Sequence, residues 1–220
     1  MRWFLDMCII LGYIGEGDSS KIITKTISFV NQKKDDKFVL CYYIKDYNLP
    51  KWLGRKRIIF REILRQTRDS SYKPYSNEEC NQLWEKDKNQ VLKLISLADT
   101  FSDKTEIIRN FENVYQEIER RIREFIEKNI DELVIPINEI DLELKNSLMT
   151  YLNIGNPIRN ESDAKTMSSA IQEHNKKELC IITADKKDWT KETFEWAVSI
   201  SLNLSKKYPS LPEIKYVQNT

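Results

Sequence analysis

Leu179 to Ala184 is apolar on both faces, with none of the alternation that marks a half-exposed strand. That is the signature of a central parallel strand, so helices are expected over both faces of a sheet. The run ends in Thr183-Ala184-Asp185, followed by Asp188, and the carboxyl end of a parallel strand is where α/β sheets place ligands. The preceding segment, from Asn160, has helical spacing. Ala164, Met167, Ala170 and Ile171 all fall within about 100° of Asp163, which therefore shares the apolar face. A carboxylate there is part-buried, and such burial is costly unless the charge is paired or holds a metal. The bland alternatives are a helix cap for Asp163 and a turn for Asp185, since Asp commonly serves as either.

At 220 residues, 40% apolar and 31% charged, the chain suits one core-bearing domain, or one domain with a large insertion. A net charge of +1 leaves partner choice to local patches. No uninterrupted apolar run is long enough to span a bilayer, so no membrane partner is expected. The opening WFLDMCIILGYI holds an aspartate and lacks a basic leader with a small-residue cleavage site; it reads as a first strand and turn rather than a signal peptide. Cys8, Cys41, Cys80 and Cys180 have no CxxC spacing and mostly sit in apolar runs, which suits reduced thiols and a cytoplasmic location. The single histidine, His174, falls near the end of the Asp163 helix as a solvated cap, and it rules out a zinc site of two or three histidines. With 5 glycines, no glycine-rich loop cradles a nucleotide phosphate. Any chemistry has to come from carboxylates.

Arg2 to Leu5 reads as a short buried strand ending at Asp6, which apolar residues flank on both sides. Ser19 and Ser20 can cap a helix from about Lys21 to Gln32, and Lys37 to Ile44 has strand composition. Pro50 opens a helix that runs to about Thr67. Its apolar face holds Ile58, Ile59, Phe60, Ile63 and Leu64. Lys51, Arg55, Lys56, Arg57, Arg61 and Arg65, beside Trp52, form a basic stripe. Such a stripe can guide a phosphate backbone or simply be a solvated face. Glu62 stands about 40° from Ile58, at the edge of the apolar face. After a loop from Ser70 to Asn77 the pattern is helical and highly charged to about Asn129, with a break near Phe101–Lys104. It reads as an inserted helical hairpin of about 76–131, whose stripe is packing surface first and partner surface second. Leu133–Ile137 is a short strand or the lead into a helix of about Glu139 to Leu152, and Gly155-Asn156-Pro157 turns the chain. Beyond Asp188, Thr190 can cap a helix running through Leu204, with a last strand at Ile214–Val217.

The expected fold is therefore α/β, a three-layer α/β/α domain around a central, mostly parallel sheet over 1–220, with the helical insertion inside it. Asp6 and Asp185 both end parallel strands, and Asp163 enters on the buried face of the helix before Asp185, so the three can converge. Crowded carboxylates repel, and the usual resolution is a hard divalent cation, Mg²⁺ or Mn²⁺, with oxygen ligands. Such an ion can activate water for phosphodiester hydrolysis.

Three segments resemble the PIN-domain nucleases. LDMCIIL at 5–11 is similar to that family's opening strand, SDAKTMSSAIQEH at 162–174 to its internal acidic helix, and IITADKKDW at 181–189 to its T-x-D strand end. The resemblance covers roughly 1–67 and 133–217. It implies Asp6, Asp163 and Asp185 as metal ligands, Asp188 as an outer acid, and Thr183 orienting a ligand or the water. The family's remaining acid usually follows the second strand, which offers Glu62 or Asp46, with Glu62 slightly favoured. Met7 stands where the family often has a hydroxyl residue. The implied function is a cytoplasmic, Mg²⁺- or Mn²⁺-dependent endoribonuclease acting on RNA, single-stranded or structured. Many relatives are toxins, so an antitoxin or other protein partner, or a homodimer, belongs to the expectation. A rival from another class is a catalytically silent RNA-binding or protein-interaction module. A third is a phosphatase-like hydrolase of small substrates.

Overall fold

The computed structural model describes residues 1–69, 71–98, 104–154 and 160–220. Among them, one sheet holds β1 (Arg2–Leu5), β2 (Lys37–Cys41), β3 (Glu132–Val134), β4 (Cys180–Thr183) and β5 (Glu213–Tyr216), in the order β3-β2-β1-β4-β5. Every pairing is parallel, not merely most. β1 and β4 are buried along their whole length, as the apolar runs Trp3–Leu5 and Cys180–Ile182 at their centres require. Helices α1 (Met7–Tyr13) and α2 (Ser20–Gln32) pack together and cross from β1 to β2. On the return path α6 (Leu142–Leu152) packs between α7 (Glu161–Lys176) and α8 (Lys191–Ser199). The result is the expected α/β/α layering. Gly12 allows the close approach of α1 to α2, since a Cβ there would stand 2.6 Å from Thr26 Oγ1.

Three local expectations change. β2 stops at Cys41, and Ile44–Asn48 form a π-helical turn leading into α3 (Leu49–Arg68). The β-forming composition of Tyr42, Tyr43 and Ile44 yields to tertiary packing: Ile44 is wholly buried, and Tyr43 stacks on Tyr47 at 5.1 Å, a pairing that helical i,i+4 spacing permits. The helix expected from Thr190 through Leu204 is two, α8 and α9 (Leu202–Lys207), because Ser201 caps α9 by accepting from the Asn203 and Leu204 N–H groups. His174 is not a free cap; its Nδ1 lies 3.0 Å from the Leu179 carbonyl oxygen and ties the end of α7 to the lead of β4. The Gly155-Asn156-Pro157 turn, Ser70 and the break at 101–103 lie outside the described residues.

The chain forms two compact units, Met1–Leu49 with Ile122–Thr220, and Pro50–Arg121. The sheet belongs to the first. The second comprises most of α3, then α4 (Glu85–Ala98) and α5 (Lys104–Asn129) as far as Arg121, so it begins earlier and ends sooner than the expected insertion at 76–131. It has its own core, built on Ile58, Ile59, Ile63, Cys80, Leu83 and Val91.

The amino edge of the sheet is pinned by one buried cation. Arg2 donates to Glu132 at the start of β3, to Glu173 on α7 and to the Lys177 carbonyl, each at 2.6 Å. Burial pulls its pKa down, but the hydrogen bonds to Glu173 and Glu132 outweigh that and leave it above the ordinary value. Arg2→Ala would strand two part-buried carboxylates. It is expected to lower unfolding stability by about 3–5 kcal/mol, measured by urea denaturation, with Glu132→Gln/Glu173→Gln in the same background recovering part of the loss.

Candidate active site

From β1 the chain proceeds to β2 on one side, and from β4 to β5 on the other, so it parts at the carboxyl ends of two neighbouring strands. Ligand crevices of open α/β sheets form at such a switch point. Asp6 follows β1 directly, and its N–H reaches the Ile182 carbonyl at 3.2 Å, extending the β1–β4 pairing by one residue. Asp6 is 7% exposed, and its Oδ2 accepts both the Cys8 S–H and the Thr183 hydroxyl at 2.8 Å. Thr183 ends β4 fully buried, and its oxygen accepts the Asp185 N–H at 3.0 Å. The Cys8 sulfur accepts the Ala184 N–H, also at 3.0 Å. Two short side chains therefore join the end of β1 to the loop after β4 through one carboxylate oxygen.

Burial raises the Asp6 pKa, while the donors on Cys8 and Thr183 oppose it. Burial, reinforced by Asp6, pushes the Cys8 thiol well above its ordinary value, so Cys8 acts as a donor and not as a thiolate. Residue pattern alone does not single out Cys8 for this place. Its one signal is position, two residues beyond a buried aspartate and next to Met7.

Asp163 lies in the first turn of α7, yet it does not cap the helix; Asn160 occupies the cap position. Among the described residues it has no hydrogen-bond donor or cation. Burial pushes its pKa up to about 7, and repulsion from Asp6, then Asp185, then Asp188 adds to this. Asp185 makes the turn of its alternative reading, its Oδ1 accepting the Lys187 N–H at 2.8 Å and the Asp188 N–H at 3.1 Å. Asp188 is raised by burial and by Asp185, against Lys187. The four carboxylates sense one another, but among the described residues no three metal-competent side chains converge into a ready ligand shell. The donor chemistry suits a hard divalent cation, because every acid offers oxygen and the nearby sulfur is protonated. Tyr43 completes this corner as a neutral phenol. Burial above all, then the charges of Tyr47, Glu161 and Asp163, raises it to about 12.

Glu62 belongs to the second unit and is 0% exposed. Its carboxylate accepts from the Tyr75 N–H at 2.8 Å, Gln66 Nε2 at 2.6 Å, the Tyr72 hydroxyl at 2.9 Å and Cys80 Sγ at 3.3 Å. Burial would raise its pKa, but these donors outweigh burial and leave it below the ordinary value. A carboxylate has about four acceptor positions, so none remains here for a metal. Its rival Asp46 is in the first unit, exposed beside Lys45 at 3.7 Å, and is not among the charges raising Asp163.

The basic stripe is also largely engaged. Arg55 is buried against Asp87 at 3.6 Å and lies 4.0 Å over Trp84. Arg61 and Arg65 share Glu79 at 3.2 and 2.6 Å. Lys56 sits over Trp52 at 5.1 Å and Arg57 over Tyr115 at 4.8 Å, while Lys51 is exposed. No family model, curated protein or solved structure matches the chain. Among the described residues, no helix is long and apolar enough to cross a membrane.

The raised Asp163 pKa gives a pH dependence of definite sign. The folded state holds this proton more tightly than the unfolded state. The resulting stabilisation is full below the unfolded value near 3.8 and is lost as pH rises through about 7. Each tenfold difference in proton affinity between the two states is worth about 1.4 kcal/mol, so metal-free protein in EDTA should lose a few kcal/mol between about pH 4 and pH 8. Urea titrations across that range should show Asp163→Asn with a flatter profile and greater stability than wild type at the alkaline end.

Proposed function

We propose that this protein is a Mg²⁺- or Mn²⁺-dependent endoribonuclease of PIN-like type, acting at the crevice beyond β1 and β4. The observation that carries the reading is Asp163, a part-buried carboxylate without a partner among the described residues and raised to about 7 beside three other acids. A cation with oxygen ligands relieves that repulsion. Asp6, Asp163 and Asp185 are the residues that would hold it, with Asp188 as the outer acid. The bound ion would lower the pKa of a water and offset charge on the phosphodiester. Thr183 and Cys8 hold the Asp6 carboxylate in one orientation, so the ligand set needs less rearrangement on loading. Burial and the neighbouring acids favour the protonated form of Asp163 in the metal-free state, so ion uptake there releases a proton from its carboxyl group. RNA as substrate, the cytoplasmic setting and an inhibitory protein partner come with the family resemblance. The four free cysteines suit that setting.

Cleavage of a mixed-sequence single-stranded RNA tests the reading directly. Cutting should require Mg²⁺ or Mn²⁺ and stop in EDTA, and Asp163→Asn should abolish it. Thr183→Val, which removes the orienting hydroxyl, should slow it by roughly 10–100-fold. Equal cutting by wild type and Asp163→Asn would sink the assignment.

One observation favours a second reading, a catalytically silent RNA-binding or protein-interaction module: no ready ligand shell converges among the described residues. Mn²⁺ titration separates the two. Saturable, proton-releasing binding lost in Asp163→Asn supports the nuclease. No binding up to roughly millimolar Mn²⁺ leaves the silent module.

A further inference from the structure

The second unit contains a cavity of about 680 Å³ lined by α3 and α5. Small-molecule sites run to roughly 300–1,000 Å³, so a nucleotide-sized molecule fits. α3 contributes Arg57, Phe60, Arg61 and Leu64, whose i, i+3, i+4, i+7 spacing makes one helical face. Buried Phe60 stacks on half-buried Phe111 of α5 at 5.3 Å and 17°, so Phe111 carries the aromatic wall of the space. The guanidinium of exposed Arg57 lies 4.8 Å over the Tyr115 ring, and its N–H groups can donate to an anion. Arg61 is already paired with Glu79 at 3.2 Å. Arg57 has no ion-pair partner among the described residues, and Glu112, Gln116 and Glu119 have neither hydrogen bond nor ion pair there. Aromatic side chains, one guanidinium without an ion pair and the acceptors of exposed Glu112 and Gln116 and half-buried Glu119 thus line the same space.

We propose that this cavity binds a nucleotide, with guanine as the preferred base. The aromatic wall offers a stacking surface, which any base can use. The carboxylates supply selectivity. Guanine presents two adjacent donors, N1–H and N2–H₂, which match the two oxygens of one carboxylate, whereas uracil, cytosine and adenine do not offer that pair. Arg57 takes the phosphate through its N–H edge. A base can reach such a wall only when unpaired, so the RNA form selected is single-stranded. This deepens the endoribonuclease reading and rests on it for RNA as the source of the nucleotide. A free guanine nucleotide is the other source of the same chemistry.

The test is isothermal titration calorimetry in EDTA, where a metal centre plays no part. The probes are GMP, AMP, CMP, UMP, a guanine-containing single-stranded RNA, and the same RNA annealed to its complement. Saturable binding is expected, strongest for GMP among the mononucleotides. Arg57→Ala should weaken all four by about tenfold, and Glu112→Gln/Glu119→Gln should erase about a tenfold guanine preference. Thermal melts check that these variants remain folded. Absence of saturable mononucleotide binding by the wild type, or folded variants that bind as it does, overturns the proposal. Competition between GMP and the single strand, but not the duplex, supports RNA as the source; GMP binding without competition overturns that part. Metal-dependent cleavage is measured separately, so failure of the cavity and failure of the nuclease reading are told apart.

Discussion

The parallel pairing of β1 with β4 is the interaction on which the rest of the first unit depends. Trp3, Phe4 and Leu5 stand opposite Cys180, Ile181 and Ile182, so the ladder joins segments near the two ends of the chain. Closing so long a loop costs entropy, although that cost grows only slowly with length. Burial opposes it: Phe4, Leu5, Ile181 and Ile182 are all completely buried. The same register brings the Asp6 carboxylate to 2.8 Å from the Thr183 hydroxyl. Without the ladder these residues would have no common site.

The two edges of the sheet treat buried charge in opposite ways. At the amino edge, Arg2 meets two carboxylates and a carbonyl, and each contact is short. That arrangement stabilises. At the carboxyl edge, Asp163 sits without a partner among the described residues, with acids as its neighbours, and its pKa rises to about 7. Such repulsion makes no sense as a contribution to stability, because a neutral residue of similar size would relieve it. Perturbed acids gathered at strand ends mark a candidate functional site.

The second unit repeats the contrast on a smaller scale. Glu62 is a buried acid whose acceptor positions are filled by four donors from the surrounding segment, so its charge organises structure. Around the cavity, among the described residues, Arg57 has no ion pair, and exposed Glu112 and Gln116 and half-buried Glu119 face solvent without a protein partner. Burial alone does not separate a functional acid from a structural one; the donors around it do.

Much of the layout was legible in the chain. Arg2–Leu5 read as a short buried strand, apolar faces on both sides marked Leu179–Ala184 as a central parallel strand, and helical spacing put Asp163 on a packed face; periodicity reports local burial directly. Ser19 and Thr190 announced helix starts through the same cap chemistry seen in the fold. Periodicity carries no information about which partner arrives from elsewhere. Nothing local to Glu62 foretold Tyr72, Tyr75 and Cys80 closing over it, and nothing local to the basic stripe foretold Glu79 and Asp87 pairing with its arginines. The sequence by itself determined the fold class, the two central strands and the acids at their ends, because those follow from burial periodicity and chain direction. The tertiary structure alone decided which charges are satisfied and which remain unmet, because hydrogen bonds and ion pairs depend on distances between residues far apart in the chain.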